Sequence, residues 1–380
     1  MTGLKRGRKL NLALQGGGVH GAFTWGVLDA LLSDGRLEIG WMSGTSAGAV
    51  NAVAVAHGLA KGSAELARET LAAVWSSVES AGVPDLLRLN PFWTTFAKAA
   101  PLPQFTSLFS PYEFNPLGFD PLRKVLEQHI DFEAIRAHRA DDVLIAATEV
   151  ATGRARIFRR KELTVEAVLA SACLPTIHHA VEIDGRAYWD GGFSANPDLI
   201  TLCADSPVRD TLLVQLNPIR RNGLPKTPRD IEDRMNTVTF NLPLLKELAL
   251  IVEAQQLKRG WFAPRDDRMA RLKAQRMHLI EAGRHTAGLG SETKALPDNG
   301  LLTYLHGAGR IEAKRWLERH GADVGKRSTV DIAERYFGSE PVALPPSAER
   351  DVISGETASG AQPTSATETS QLKATGSDGR

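Results

Sequence analysis

The sequence predicts an α/β fold with a mostly parallel central sheet flanked by helices, followed by a helical C-terminal extension and a disordered tail. Short apolar runs alternate with segments of helical spacing in the first 216 residues, the first two runs end in glycine-rich turns, and the composition changes after residue 340. Alternating strands and helices run parallel through right-handed crossovers. Both glycine-rich turns are therefore expected at the carboxyl edge of the sheet, where ligands bind in open α/β folds.

The first half of the chain shows this alternation most clearly. Apolar runs predict strands over 10–14 and 37–42, and helical spacing predicts helices over 22–32, from the turn at 43–48 to about 60, and over 63–78. Later segments predict a strand pair (142–149 and 154–158), a helix (164–172), a hairpin (181–183 and 187–189), a helix (196–203) and a strand (211–216). Together these elements define a predicted α/β domain over residues 10–216.

Three other regions differ in composition. Residues 84–121 hold seven of the 20 prolines and eight aromatic residues, which predicts a flap over an apolar cleft, because proline excludes long helices while the aromatic rings need burial. Residues 217–340 are predicted to form a mostly helical extension packed on the core, with helices over 244–251 and 311–319 and a strand over 277–280. Residues 341–380 are rich in Ser, Thr, Ala, Gly and Pro, and we predict a disordered tail.

The overall composition is that of a globular protein. Of 380 residues, 43% are hydrophobic, and 45 Lys and Arg nearly balance 44 Asp and Glu. This balance gives no electrostatic case for nucleic acid, so no nucleic-acid partner is expected. Cys173 and Cys203 lack zinc-site spacing and are expected to be free, buried thiols in a reducing compartment. No apolar run reaches the length of a signal-peptide core or a membrane span, which predicts a cytoplasmic protein that can act peripherally at a membrane.

Gly44-Thr45-Ser46-Ala47-Gly48 fits the nucleophile elbow, a strained turn between a strand and a helix that raises a serine hydroxyl out of the sheet. The flanking Gly44 and Gly48 are needed because the tight turn brings backbone against backbone. The preceding apolar strand and the following Ala-rich helix provide the context that this motif requires. On the motif alone, a turn of small residues that only packs against its neighbour is equally well supported.

Gly16, Gly17 and Gly18 supply successive backbone N–H groups where a helix begins. Such donors can stabilise the oxyanion of an acyl transfer, so these glycines are candidates for an oxyanion hole. Together with Gly21 they also match the dinucleotide-binding pattern, which leaves a nucleotide site as an alternative. A dinucleotide site needs an acid that binds the ribose at the end of the next strand. The nearest acid, Glu38, stands at the beginning of that strand instead, which favours the oxyanion hole.

The candidate base for Ser46 is Asp190, which ends an aromatic strand and is followed by Gly191 and Gly192. A partly desolvated carboxylate at a sheet edge can take a proton from a serine hydroxyl. An Asp-Gly turn that merely closes a hairpin is the alternative for these residues. Late histidines are the usual base of other α/β hydrolases, but none of the four candidates follows a strand in a convincing loop: His278, His285, His306 and His320.

These three motifs, in this order and spacing, resemble the patatin-like phospholipase family over about residues 10–216, and the segment 170–175 is similar to the one that usually precedes the aspartate. The resemblance implies an α/β fold and a Ser–Asp dyad without histidine, with Ser46 as nucleophile, Asp190 as proton acceptor and residues 16–18 as the oxyanion hole. It also implies hydrolysis of acyl esters in phospholipids, lysophospholipids or neutral lipids, at a membrane or lipid surface, without a metal or cofactor. Neither the resemblance nor the residues identify a protein partner, so protein partners stay open.

One position departs from that family. His20 stands where Arg or Lys is common, so a titratable group replaces a permanent cation. If this position supports oxyanion or phosphate binding, we expect activity to depend on pH near neutrality through the titration of His20. Two other functions stay open. One is a nucleotide-dependent oxidoreductase that uses the glycine loop. The other is a non-catalytic lipid- or protein-binding module that docks through Lys246 and the apolar residues of 244–251. The presence of both Ser46 and Asp190 favours the hydrolase.

Overall fold

The computed structural model describes residues 8–80, 110–138, 141–220, 223–257, 268–286, 289, 291–294 and 297–338. The strands are β1 (Arg8–Leu14), β2 (Leu37–Gly44), β3 (Val143–Glu149), β4 (Ala155–Arg159), β5 (Val181–Ile183), β6 (Arg186–Asp190), β7 (Asp210–Gln215) and β8 (Arg276–Glu281). The helices are α1 (Gly21–Asp34), α2 (Ala47–Lys61), α3 (Ala64–Ser80), α4 (Pro111–Phe114), α5 (Pro121–His129), α6 (Phe132–Ala137), α7 (Val165–Ser171), α8 (Leu199–Asp205), α9 (Pro228–Gln256), α10 (Arg268–Lys273), α11 (Gly283–Thr286), α12 (Asn299–His320) and α13 (Ile332–Phe337). Short 3-10 turns lie at Gly18–His20, Arg160–Glu162, Gly191–Phe193 and Ser291–Lys294.

The strands form one sheet in the order β5-β6-β3-β2-β1-β7-β8, with β4 also paired to β3. The five strands from β3 to β8 in this order run parallel, whereas β4 and β6 are antiparallel to β3, and β5 is antiparallel to β6. The predicted fold class, a mostly parallel sheet flanked by helices, is confirmed. The loops after β1 and β2 therefore lie side by side at the carboxyl edge.

Helices cover both faces of the sheet. Successive residues of β1 alternate between two apolar clusters, with Leu12 and Leu14 in one and Ala13 in the other. The first cluster includes buried side chains of α1, α2, α3 and α12, and the second includes side chains of α8, α9 and α13. A central strand buried on both faces reads as a continuous apolar run, which is why residues 10–14 were recognisable in the sequence.

The region after residue 216 contributes more to the sheet and its cover than its sequence indicates. The strand β8 pairs in parallel with β7. The helix α9 is much longer than the predicted segment and continues through Pro243. Its residues Leu244, Leu248 and Ile251 are fully buried in the second cluster. The hypothesis that these apolar residues form a free docking face is therefore wrong, because they already pack against the sheet.

The helix α12 begins at Asn299, twelve residues before the predicted start at 311. Its first half contains glycines, which lower helix propensity, so the sequence pattern did not predict this part of the helix. The close packing of α12 against α1 requires glycine there. A Cβ on Gly309 would lie 2.1 Å from the carbonyl oxygen of Phe23 in α1, and a Cβ on Gly26 would lie 2.0 Å from that of His306. The two helices cross closely only because both positions are glycine.

Some predictions fall on residues that are not described. The predicted flap at 84–121 lies outside the described residues up to 109, and the predicted tail at 341–380 lies wholly outside them. In the described part of the flap region, Tyr112 stacks on His179 with ring centroids 4.1 Å apart. Cys173 and Cys203 are free and buried, as predicted. No helix within the described ranges is long and apolar enough to cross a membrane.

Candidate active site

Ser46 occupies a strained turn between β2 and α2. Its backbone has φ 55° and ψ −124°, a left-handed conformation that side chains rarely adopt. Its N–H group donates a hydrogen bond of 2.9 Å to the hydroxyl of Ser171, and the hydroxyl of Thr45 donates one of 2.8 Å to the carbonyl of Ala195. These bonds hold the turn, and the Ser46 side chain stays partly exposed.

The glycines around Ser46 permit very close backbone contacts. A Cβ on Gly48 would lie 2.1 Å from the carbonyl oxygen of Leu14, and one on Gly44 would lie 2.4 Å from that of Gly48. No side chain fits at either position without moving backbone atoms. The close backbone approach expected from the motif is thus present, and it presses the elbow against the end of β1.

The glycine loop lies directly beside this elbow. A Cβ on Gly16 would lie 2.9 Å from the Cβ of Ser46. The N–H of Gly16 donates a hydrogen bond of 2.8 Å to the side-chain oxygen of Asn196, so it is already engaged. Among the described residues, Gly17 and Gly18 donate no backbone hydrogen bond, and both are only partly buried. Of the three predicted oxyanion donors, these two N–H groups are available.

A segment far along the chain supports the glycine loop. Gly18 has φ +57°, and a Cβ there would lie 2.3 Å from the carbonyl oxygen of Lys294. The Lys294 ammonium donates a hydrogen bond of 2.7 Å to the side-chain oxygen of Asn217, whose side-chain nitrogen donates one of 3.1 Å to the carbonyl of Gly16. Thr293 and Lys294 were not recognised from the sequence, because no local motif marks them.

His20 lies at the back of the same loop and is 2% exposed. Its Nε2 is 2.8 Å from the hydroxyl of Thr293. Burial, helped by the nearby charge of Lys294, lowers the pKa of His20 to about 4. The expectation that His20 titrates near neutrality is therefore wrong, because desolvation keeps its ring uncharged at neutral pH.

Asp190 is the last residue of β6, and hydrogen bonds hold its backbone in place on both sides. Its N–H donates a 2.7 Å hydrogen bond to the carbonyl of Cys173, and its own carbonyl accepts one of 2.8 Å from the hydroxyl of Thr148 in β3. A Cβ on Gly191 would lie 2.1 Å from the carbonyl oxygen of Ala146. The Asp-Gly-Gly motif thus allows β6 to end tightly against the neighbouring strand.

The Asp190 carboxyl group is 1% exposed and unevenly bonded. Oδ1 accepts a hydrogen bond of 2.7 Å from the N–H of Gly192, whereas the buried Oδ2 has no hydrogen-bond partner among the described residues. Burial raises the pKa of Asp190 to about 7, against the smaller opposing effects of the Gly192 N–H and the Ser46 hydroxyl. This carboxyl group therefore changes charge near neutral pH.

The other predicted site residues have defined places. Gly21 begins α1, where a Cβ would lie 2.6 Å from that of Ala47, and a Cβ on Gly192 would lie 2.3 Å from the ring of Phe240 in α9. Ser171, Asn196 and Asn217 bond directly to the elbow or the glycine loop. Only Ser171 had a signal in the sequence, since it lies in the segment 170–175.

The residues of the alternative sites lie elsewhere. Glu38 is exposed at the amino end of β2, on the opposite edge of the sheet from the glycine loop. Each of the four late histidines contacts an acid: His278 with Asp210, His285 with Glu312, His306 with Asp29 and His320 with Asp323. Within the described ranges, no group of three or more His, Cys, Asp or Glu side chains has a metal-binding arrangement.

The fold and site define a class of α/β proteins in which a serine on a strand-to-helix turn lies beside a glycine-rich loop and a buried carboxyl group. The family model described as patatin-like phospholipase matches residues 12–202, slightly more than half of the chain. The chain belongs to this family, whose members are lipid hydrolases. The resemblance drawn from the three motifs is thereby confirmed.

No curated protein matches the chain. Among solved structures, the chain is similar to the crystal structure of VipD from Legionella pneumophila, with 13% sequence identity and a TM-score of 0.42. That similarity covers 86% of this chain and 73% of the VipD chain.

Proposed function

We propose that this protein is a serine esterase that hydrolyses carboxylic esters of lipids, in the manner of a phospholipase A or lysophospholipase, through a Ser46–Asp190 dyad and an acyl-enzyme. The observation that carries the proposal is the deep burial of the Asp190 carboxyl group, whose Oδ2 meets no hydrogen-bonding partner within the hydrogen-bond distance limits among the described residues. The nearby Ser46 hydroxyl favours the charged form of this group and so lowers its pKa, against the larger effect of burial. An unsatisfied buried oxygen is costly. Such an oxygen is suited to catalysis when its role is to accept a proton from the nucleophile.

The first step is proton transfer coupled to attack. As Ser46 Oγ bonds to the ester carbonyl carbon, its proton moves to Asp190. A pKa near 7 suits this role, because a base is most effective when its pKa is close to the working pH. The strained backbone at residue 46 holds the hydroxyl toward the substrate rather than in the helix.

The developing oxyanion is stabilised by backbone N–H groups of the glycine loop. Gly17 and Gly18 are the donors in this proposal, since the N–H of Gly16 already bonds to Asn196. Each such donor contributes about 3 kcal/mol to the transition state. Asn196 and Asn217 hold the loop by its Gly16 amide and carbonyl.

The second half of the reaction returns the proton. The protonated Asp190 gives its proton to the departing alcohol, which leaves an acyl group on Ser46. Asp190 then takes a proton from a water molecule that attacks the acyl carbonyl, and the fatty acid is released as Ser46 regains its proton. The chain's own groups supply every proton transfer, so the scheme calls for no metal or cofactor.

A lipid ester at a membrane or lipid surface is the proposed substrate, because the family acts on lipids. The nucleotide-dependent alternative is less well supported, since Glu38 lies at the opposite edge from the glycine loop. In a dinucleotide site, the acid that binds the ribose stands at the carboxyl end of the strand after the loop.

Labelling with a fluorophosphonate tests the nucleophile. The wild type should react and Ser46→Ala should not. Ser43→Ala is the matched control, because Ser43 lies three residues earlier, is fully buried, and has an unpartnered hydroxyl among the described residues. Labelling that persists in Ser46→Ala at the wild-type rate would overturn the assignment.

A lipid screen tests the reaction itself. The purified protein is incubated with phosphatidylcholine, lysophosphatidylcholine and triacylglycerol, and released fatty acid is measured. Release by the wild type and Ser43→Ala, but not by Ser46→Ala, is expected for at least one of them. Equal release by all three proteins would indicate a contaminating esterase and contradict the proposal.

A further inference from the structure

A second concave site lies at the same edge of the sheet, away from Ser46. A cavity of about 820 Å³ is lined by residues that follow β7, by Glu281 at the end of β8, and by residues of α12 and α13. The strand order is β2-β1-β7-β8. Since neighbouring strands are about 4.8 Å apart, this cavity begins roughly 5 Å along the edge from the glycine loop, after β7, and extends to β8. We name it the arginine cavity.

Its lining is strongly basic. Five arginines face two glutamates, which leaves a surplus of three positive charges before His320 is counted; the arginines are Arg220, Arg284, Arg315, Arg319 and Arg335. The whole chain has a net charge of only +1. The cavity is therefore more positive than the chain as a whole, and like charges gathered in one cavity repel each other.

The two glutamates are already paired. Arg335 donates two hydrogen bonds of 2.7 Å to Glu281, and Glu312 bonds to both Arg284 and Arg315. Arg220 and Arg319 are exposed and form no ion pair among the described residues. These two guanidinium groups keep their full hydrogen-bonding capacity for a ligand.

We propose that the arginine cavity binds an anion that carries two or more phosphate groups. A guanidinium group matches the geometry of phosphate by donating two parallel hydrogen bonds. One phosphate monoester carries roughly −1.5 to −2 charges at neutral pH, which leaves part of the surplus uncompensated. A volume of this size is also that of a small-molecule site. The ligand is either a free phosphorylated compound or the headgroup of a phosphorylated lipid.

Calorimetry with inorganic triphosphate tests the site with a free ligand. The wild type is compared with the double variant Arg220→Gln/Arg319→Gln. The control is Arg186→Gln/Arg327→Gln, which removes two exposed arginines outside the cavity that pair with Glu149 and Asp323. Loss of a hydrogen bond from a charged group costs roughly tenfold in affinity, so the cavity variant should bind about 100-fold more weakly and the control nearly as well as the wild type.

A vesicle assay tests the lipid source. Vesicles of phosphatidylcholine alone, or mixed with the two-phosphate lipid cardiolipin, are sedimented with protein that carries Ser46→Ala, so that no lipid is hydrolysed. Cardiolipin-dependent binding that is lost in the cavity variant would identify a headgroup, and triphosphate binding alone would identify a free ligand. Either result supports the site.

Two results would overturn it: binding of neither probe by the wild type, or equal weakening in the cavity and control variants. Thermal unfolding shows whether the double variant is folded. If it is not, Arg319→Gln alone replaces it, with an expected loss of about tenfold. Because neither probe needs to be hydrolysed, the outcome is independent of the proposed esterase activity.

Discussion

The two ends of the carboxyl edge are built in opposite ways. Over β1 and β2, the site consists of backbone N–H groups, small residues and one buried carboxyl group, and burial favours the uncharged forms of both Asp190 and His20. Over β7 and β8, the lining includes five long, exposed and permanently charged arginine side chains. The first end suits a neutral ester whose charge appears only in the transition state, and the second suits a ligand that is already charged.

The two buried titratable groups at the first end, Asp190 and His20, respond to burial in opposite directions. The same desolvation raises the pKa of Asp190 and lowers that of His20, because one is charged when deprotonated and the other when protonated. The pKa of Asp190 is thereby brought close to neutral pH, where this carboxyl group can act as a base. His20 is uncharged at the same pH and serves as a packed, buried side chain. The predictions below test this contrast, from the largest expected effect to the smallest.

Asp190→Asn should reduce fatty-acid release by roughly 1,000-fold or more, since it removes the base while the side-chain oxygen can still accept the Gly192 hydrogen bond. Steady-state hydrolysis measures this. Asp198→Asn is the control, because Asp198 is another buried carboxyl group that caps α8 by accepting a hydrogen bond from Thr201. If both variants lose activity equally, Asp190 is not the base.

The same substitution should stabilise the fold at alkaline pH. Asp190 has a folded-state pKa of about 7 against an ordinary value of 3.8, so the folded state is favoured below the lower value and loses that advantage as pH rises through the higher one. Asp190→Asn should therefore raise the free energy of unfolding by up to about 4 kcal/mol above pH 8. Denaturant unfolding at pH 5 and pH 8 measures the difference.

Gly18→Ala should lower kcat by roughly 100-fold, because its Cβ would collide with the carbonyl of Lys294 and displace an oxyanion donor. Gly35→Ala is the matched control, since Gly35 also has a positive φ (+68°) but open space around its Cβ. Both variants bear the conformational cost of alanine at positive φ, about 1 kcal/mol. A similar kcat in the two variants would argue against the glycine loop as oxyanion hole.

Activity of the wild type should fall as pH drops below about 7, by roughly tenfold per pH unit, because Asp190 must be deprotonated to act as the base. The rate of fluorophosphonate labelling, measured across pH, reports this. In His20→Gln the inflection should stay at the same pH, since His20 is already uncharged there. A shift of the inflection in that variant would show that His20 titrates with the reaction.

Lys294→Met should lower kcat by about tenfold with little change in KM, since it removes the hydrogen bond to Asn217 that helps to hold the carbonyl of Gly16. Lys294→Arg should restore most of the activity by supplying another cationic donor. If the arginine variant is as impaired as the methionine variant, the charged hydrogen bond is not what positions the loop.

The two ends of the carboxyl edge should differ in their sensitivity to salt, with almost no effect on the reaction at Ser46 and a clear effect on ligand binding in the arginine cavity. Raising ionic strength should leave the labelling rate of Ser46 nearly unchanged, because salt screens a buried charge such as that of Asp190 only weakly. It should weaken triphosphate binding several-fold, because exposed charges are screened. Labelling kinetics and calorimetry at matched salt concentrations test this. Equal sensitivity of both measurements would remove the contrast between the two ends.

The sequence by itself determined the elements with a local signature. The strand over 10–14, the elbow at 44–48 and the Asp-Gly-Gly end of β6 were predicted because apolar periodicity and close backbone contacts leave direct marks in residue order. The family followed from the order of these motifs. The site assignments of Ser46 and Asp190 are predictions that the experiments above address.

The tertiary structure decided what depends on distant residues. Only folding brings Thr293 and Lys294 behind the glycine loop, engages the N–H of Gly16 with Asn196, and buries His20 and Asp190 deeply enough to move their pKa values in opposite directions. The arginine cavity likewise joins segments more than 100 residues apart. Desolvation and long-range contacts are properties of the packed chain, and no local pattern of residues encodes them.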